Sequence, residues 1–317
     1  MEPGHVLLPD ERTLHGYWDA SLPPALTVEP GTTVRIGTLD SGWSTGPYTG
    51  GDTAAELALR PRHPAFDPAA GHALTGPVCI EGAEPGQVLA VRIDDVVPGA
   101  FGTTYCGLRS TALNERLGVT ASPVVHRWTL DGTAGIGRNQ AGHSVALRPF
   151  LGVMGVPPAE LGEHSTIPPY WHGGNIDCRE LVAGATLYLP VTVSGGLLSV
   201  GDGHAAQGDG EVAGTAIECP MDAVDLTVDV LPDLFGAPVT TPVAKTPAGW
   251  VTMGVADDLD EAMAIALDAM LDVMAALHGI GRSDALALAS VVVDLRVTQV
   301  VNQVVGVHAV LPWGAIR

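Results

Sequence analysis

Basic residues are scarce: 15 Lys and Arg stand against 35 Asp and Glu, leaving a formal charge of −20. A field of that sign repels phosphate backbones and anionic lipid, which argues against nucleic acid and against a membrane surface as partners. Cysteine is sparse too. Cys79, Cys106, Cys178 and Cys219 form no CxxC pair, so neither a zinc knuckle nor a dithiol redox motif is encoded. No apolar run reaches ~18 residues, the length of a membrane span. Residues 1–12 carry no apolar core of signal-peptide length, and the cytoplasm is the expected compartment. Aromatic residues are few, with 4 Phe and 5 Tyr, whereas 40 Gly and 25 Pro are available to interrupt helices. Short strands joined by tight turns follow from that balance.

What the chain does contain is enough apolar material for a sizeable core: 46% of 317 residues are hydrophobic and 16% charged. Pro30-Gly31 divides two β-rich runs, Pro85-Gly86 precedes the alternating stretch 88–93, and Gly184 precedes another at 186–191. The expected fold is mainly β, a β-sandwich or barrel-like body over residues 1–230 with a smaller α/β part over 231–317 packed on it. Residues 100–149 show no sustained periodicity and read as an excursion covering a site or as a loose connection. A helix is expected over 258–278, where Leu259, Met263, Ala266, Leu267, Met270, Met274 and Leu277 recur at helical spacing and Gly279 supplies the stop. A shorter helix should start with Ser283 as its cap and weaken at Val291. Two valine-rich strands, 297–301 and 304–311, close the chain. Their apolar surface is compatible with a homo-oligomer.

The densest polar cluster in apolar surroundings spans residues 199–211. Asp202 and His204 are two apart, so on an extended backbone both face one side, where a carboxylate and an imidazole can share a cation. Asp209 and Glu211 repeat that spacing. Gly201, Gly203, Gly208 and Gly210 allow close approach to a ligand and free N–H groups for an oxyanion. An isolated Gly-Asp-Gly is more commonly a solvated hairpin turn, and the histidine is what moves the reading toward a site. The ligand order of an EF-hand is missing, and a histidine favours zinc over calcium. A second cluster, residues 170–180, sets Asn175 and Asp177 on one face: Asn175 could donate to a carbonyl oxygen, and Asp177 could accept from an amide nitrogen or bind metal. An Asx-turn network that only stabilises the loop would use the same residues. Trp171 and His72 are candidate substrate contacts, and Asp40 and His15 candidate further metal ligands. Cys178 reads more readily as buried packing than as a nucleophile, a role for which it would need His172 or His204 as its base.

Other catalytic strings fail on context. Gly42-Trp43-Ser44-Thr45-Gly46 fits a nucleophile elbow, but Pro47 to Gly51 is a poor helix to follow it. A Walker loop is absent, and Gln140 occupies the third glycine position after Gly135-Ile136-Gly137. The single lysine, Lys245, leaves no Ser-Ser-Lys machinery.

Taken in order, His72-Ala73-Leu74-Thr75-Gly76-Pro77, Glu81-Gly82-Ala83-Glu84-Pro85-Gly86, Gly174-Asn175-Ile176-Asp177 and the run from Gly201 to Glu211 resemble the acetamidase/formamidase family. The likeness extends from about His15 to the C-terminal strands, and four linked motifs are far more specific than one. One departure is Gly86-Gln87, where the family has Gly-Asp. The resemblance implies a mainly β fold with a smaller α/β part, and hydrolysis of short aliphatic amides to carboxylate and ammonia. On that reading Asp202 and His204, with Asp177, Asp40 or His15, hold a divalent metal that polarises the amide carbonyl, while Glu211 or Asp209 takes the proton of water. Two other readings use the same residues: opening of a cyclic amide or another small C–N bond, and a non-enzymatic module in which a metal staples the β layers together.

Overall fold

Gly31 adopts φ 83° and its N–H donates to Val228 O at 2.7 Å, so the Pro30-Gly31 step feeds directly into the strand Thr32–Thr38. That strand belongs to the larger of two facing sheets in the computed structural model, which describes residues 4–317. Residues 1–3, the start of the segment read as leaderless, lie outside the described residues.

Nine strands make up this sheet, in the order His5–Leu7, Thr32–Thr38, Met221–Leu231, Val88–Pro98, Thr186–Pro190, Val243–Lys245, Gly249–Ala256, Val304–Pro312 and Asp294–Asn302. The second sheet runs Pro169–Tyr170, Gly173–Asn175, Phe150–Gly155, Leu198–His204, Leu74–Ile80 and Leu14–His15, with Leu26–Val28 parallel to Leu74–Ile80. Val34, Ile36, Leu89, Val91 and Leu226 of the first sheet share one buried cluster with Val78, Ile80, Leu151, Met154 and Val200 of the second. Period-2 alternation supplies the inward rows, and each large side chain so buried contributes about 1.5–3 kcal/mol. The body is therefore a β-sandwich, as its turn-rich composition predicts.

Residues 100–149 are neither loose nor aperiodic in space. They form a four-stranded sheet in the order Ser144–Ala146, Ile136–Asn139, Val124–Asp131 and Phe101–Cys106. Thr103 N donates to Glu218 O and Glu218 N to Thr103 O, both at 2.9 Å, which ties this sheet to the body.

The long helix spans Leu259–His278, with Asp258 Oδ1 accepting from the N–H groups of Asp260 and Glu261 at 3.0 Å and Gly279 ending it at φ 64°. It lies so close to the strand Gly249–Ala256 that a Cβ at Gly254 would stand 2.0 Å from Ala262 O. The following helix, Arg282–Val292, departs from expectation at both ends. Gly281 is its N-cap, without a side-chain bond, and Ser283 lies inside it. Burial of Ala285 and Ala289 in a second core cluster outweighs both the missing cap and the β-branched Val291 and Val292. The last two strands are longer than expected, Asp294–Asn302 and Val304–Pro312, and they extend the nine-stranded sheet without a break. Among the described residues no single helix is long and apolar enough to cross a membrane.

Candidate functional site

Every residue of the strand Leu198–His204 is buried, and so is every residue of its antiparallel neighbour Phe150–Gly155. On the far side of that neighbour runs Gly173–Asn175, with Asp177 just beyond it. The two polar clusters of the sequence thus meet across a third strand. They are not the two arms of one excursion, because Thr186–Pro190, which lies between them in sequence, belongs to the other sheet. What lets them meet is Gly152. A Cβ there would stand 2.6 Å from Asp177 Oδ1, 2.6 Å from Asp202 Oδ2 and 2.8 Å from His204 Cε1. Gly201 and Gly203, read from sequence as ligand-approach positions, serve strand packing: a Cβ on them would meet Ala73 O at 2.3 Å and Cys219 O at 2.5 Å.

His204 is the centre of the cluster. Its Nε2 lies 3.3 Å from Asp202 Oδ1 and 3.3 Å from Glu218 Oε1, while Nδ1 is 2.8 Å from Gln207 Oε1 and 3.9 Å from Asp177 Oδ1. Gln207 spends its Nε2 on Asp177 O at 2.7 Å, so its Oε1 accepts and Nδ1 is the protonated nitrogen. Nε2 then faces the two carboxylates. Glu218 is anchored by Ser41 Oγ at 2.8 Å and Ala216 N at 2.9 Å, and Asn302 Nδ2 donates to Asp177 Oδ2. Glu211 completes the group: Asp177, His204 and Glu211 form one set of converging ligand atoms, and Asp202, His204 and Glu218 another.

Asp177 Oδ1, Asp202 Oδ1, Glu211 Oε2 and His204 Nε2 are all buried without a hydrogen-bond partner. Leaving such atoms unsatisfied costs ~1–3 kcal/mol each. An imidazole nitrogen and carboxylate oxygens are the donors a divalent cation takes, and the residues fit one. Charge points the same way. Burial raises Glu211 well above the carboxylate range, with the neighbouring Asp177 adding to it, and raises Asp177 to about 8, partly offset by His204. Burial also lifts Glu218 against the pull of His204. For Asp202 the attraction of His204 and His72 overcomes burial and leaves it below the usual range. Burial opposes charge on His204, yet Asp202 and Glu218 hold it well above an ordinary imidazole. Four carboxylates around one imidazole need positive charge to ionise together.

Backbone strain marks the same residues. Asp177, Asp202 and Glu211 adopt φ of 54°, 55° and 44°, in the left-handed region that glycine occupies freely. Each such residue costs of order 1–3 kcal/mol, and strain of that kind concentrates at functional sites.

Asn175 and His72 line the cavity that opens over this cluster, about 490 Å³ in volume. Asn175 Nδ2 donates to Ile167 O at 2.8 Å, and its buried Oδ1 has no partner. The free side-chain atom of Asn175 is therefore an acceptor, where the sequence suggested a donor. His72 Nδ1 faces Thr166 O at 3.1 Å. The remaining candidates lie outside the cavity wall. Asp209 is paired with Arg296 Nε at 2.7 Å, and Arg296 and Arg148 both hold Glu180. Asp40 Oδ1 accepts from Ser44 N at 2.8 Å as the anchor of a turn. Both ring nitrogens of His15 are engaged, with Tyr17 O at 2.8 Å and Ser199 Oγ at 2.9 Å. Trp171 is 51% exposed and packs edge-on against His172. Burial pushes the Cys178 thiol up to about 12, which disfavours the thiolate a nucleophile needs. Sequence reasoning missed Glu218, Gly152 and Asn302. Glu218 alone left a signal, an acid between Ile217 and Cys219 in an apolar stretch.

Fold and site together define a β-sandwich protein built around a buried histidine–carboxylate cluster. Residues 3–165 and 159–313 match the Acetamidase/Formamidase family, and the chain belongs to it. It is 28% identical over 253 residues to the formamidase of Methylophilus methylotrophus, an alignment covering 63% of this chain and 59% of that one. To the acetamidase of Mycolicibacterium smegmatis it is 29% identical over 255 residues, 62% of this chain and 61% of that one. The chain thus spans about three fifths of the length of these curated relatives. The crystal structure of an acetamidase from Bacillus halodurans superposes with a TM-score of 0.83 at 28% identity, covering 97% of each chain.

Proposed function

We propose that this chain hydrolyses the C–N bond of a short aliphatic primary amide, such as formamide or acetamide, to a carboxylate and ammonia. The observation that carries the reading is the buried set Asp177, Asp202, His204, Glu211 and Glu218, whose four carboxylate residues line a cavity open to small molecules. Family membership and the names of the relatives, formamidase and acetamidase, support the substrate class. His204 Nε2, Asp202, Glu218 and Asp177 Oδ1 would hold a divalent cation, zinc in preference to calcium because of the imidazole. When bound, such a cation supplies charge that polarises a carbonyl and lowers the pKa of water.

The chain's own groups account for orientation and proton transfer. Asn175 Oδ1 accepts from the amide N–H and orients the nitrogen. As a C–O bond forms at the carbonyl carbon and the C–N bond breaks, one proton of water passes to the departing nitrogen. Glu211 is the carrier in this scheme: burial, with Asp177 beside it, raises its affinity for the proton that a shuttling carboxyl must take up. Asp209 is the weaker choice, being held by Arg296. Residence in the cytoplasm is retained as part of the proposal. So is a homo-oligomer, supported by the exposed Leu286 and Val291 of the last helix and Leu295 of the edge strand.

The test is ammonia release from formamide and acetamide, with ring opening of a lactam panel alongside, on protein as purified, after chelation, and after zinc or calcium is restored. Glu211→Gln should keep its metal and lose turnover by about 10²–10⁴-fold, whereas Glu218→Gln should lose both. Stoichiometric metal with no hydrolysis of any amide would leave the metal-stapled binding module as the better account.

A further inference from the structure

The cavity is lined by groups from several parts of the chain. Its polar lining includes Asn175, Asp177, Asp202, Glu211, Glu218 and Ser41. Apolar side chains enter its lining from three separate parts of the chain, among polar ones such as Thr111, Asn114 and Asn302. Leu108 precedes the short helix Ala112–Arg116 and Leu113 lies within it, Val212 follows Glu211, and Val301 and Val305 sit at the tip of the last hairpin. None of these five is fully buried, and Val212 is 63% exposed. The left-handed turn at Glu211 that accompanies its inward-facing carboxylate leaves Val212 toward solvent, an unfavourable place for an apolar side chain unless something covers it.

Size gives a second, independent constraint. A water's share of liquid volume is ~30 Å³, so acetamide, with four heavy atoms, displaces on the order of 120 Å³. That is about a quarter of the 490 Å³ cavity. Orientation gives a third. Asn175 Oδ1 is an unpartnered acceptor on a residue that lines the cavity, and an amide N–H is a donor to match it. With the nitrogen held there, the substituent on the carbonyl carbon is left to the apolar side chains of the lining.

We propose that the preferred substrate is a primary amide with an uncharged aliphatic acyl chain longer than acetyl, of about four to six carbons, seated against Leu108, Leu113, Val212, Val301 and Val305. This rests on the amide-hydrolase reading and narrows it. The one cation on the cavity wall, Arg109, is exposed at its outer end, so an acyl chain ending in a carboxylate is the competing substrate that the experiment must include.

Metal-replete protein is assayed for ammonia release from formamide, acetamide, butyramide and hexanamide, and from the monoamide of glutaric acid. Burial of each methylene is worth about fourfold, and kcat/KM for hexanamide should exceed that for acetamide by at least about tenfold. Leu113→Ser and Val301→Ser, two partly exposed positions on separate elements, should each lower the hexanamide-to-acetamide ratio by about fivefold. Equal or better turnover of formamide and acetamide would overturn the proposal while leaving the amide-hydrolase reading intact. Preference for the glutaric monoamide would overturn the uncharged acyl chain. Absence of turnover on all five would remove the amide-hydrolase reading itself, and this one with it.

Discussion

Gly152→Ala is the substitution on which the site's geometry makes its sharpest demand. The added carbon would sit 2.6 Å from Asp177 Oδ1 and Asp202 Oδ2, well inside the closest carbon–oxygen approach, and 2.8 Å from His204 Cε1. All six residues of the strand Phe150–Gly155 are buried, so the backbone has nowhere to retreat and the side chains must give way. Overpacking of this kind costs ~1–3 kcal/mol, which at roughly 2–4 °C per kcal/mol lowers the melting temperature of the metal-free protein by roughly 2–12 °C. The effect on cation binding should be larger in proportion. Outer-sphere changes alone weaken metal sites by ~10–100-fold, and here two ligands are pushed apart directly. Competition against a chromogenic chelator reads the affinity, and melting of the metal-free protein reads the strain. Gly208→Ala serves as the control, since its Cβ would meet open space. If Gly152→Ala bound zinc within threefold of the parent, the cation would not lie between Asp177 and Asp202, and the assignment of the cradle would be wrong.

Three further outcomes are expected. Burial holds His308 down to about 4 against an ordinary 6.5, so the unfolded chain takes up a proton below pH ~6.5 that the folded one refuses. Its contribution to stability is complete above that pH and is lost as pH falls toward 4, and His308→Gln should narrow the stability difference between pH 7 and pH 5 by about 2 kcal/mol in urea titrations; an unchanged difference would contradict this. Arg296→Ala removes the partner of Asp209 and one of two cations on the buried Glu180. With Arg296 itself partly exposed, a loss of ~1–3 kcal/mol is expected, together with reduced turnover at unchanged metal content, because the segment carrying Glu211 loses its tether; full turnover would refute the tether. Asp258→Ala removes the cap of the long helix and should cost about 1 kcal/mol by thermal melting, with no change in amide hydrolysis.

How much of this was legible in the sequence depended on range. The long helix could be read almost to the residue, because Asp258, the apolar spacing and Gly279 are local signals that agree with one another. Ser283 misled for the opposite reason: a good capping residue was overruled by where Ala285 and Ala289 find their burial. Asp202 and His204 stood out because a single strand carries both. Glu218 did not, since it reaches His204 only through an isolated bridge at the junction of two sheets. Gly152 could not have been found at all. A glycine in an apolar strand looks like a weak point until three side chains, two from a neighbouring strand and Asp177 from the loop beyond another, are seen crowding its face. Asp40 and His15 illustrate the converse, polar residues beside strands whose hydrogen bonds close on nearby loop and strand atoms.

The left-handed backbone at Asp177, Asp202 and Glu211 also sets a direction for mutational drift. Glycine at any of the three would relax a conformation that costs an L-residue roughly 1–2 kcal/mol, and would at the same time remove a buried carboxylate and its desolvation. For folding alone, the path from acid to glycine runs downhill at Asp177 and Glu211, whose carboxylates burial disfavours, but not at Asp202, which His204 holds. A lineage released from selection for chemistry would therefore gain stability as it lost those two acids, and a thermostable descendant of this chain with glycine at 177 or 211 would be the fossil of an abandoned site.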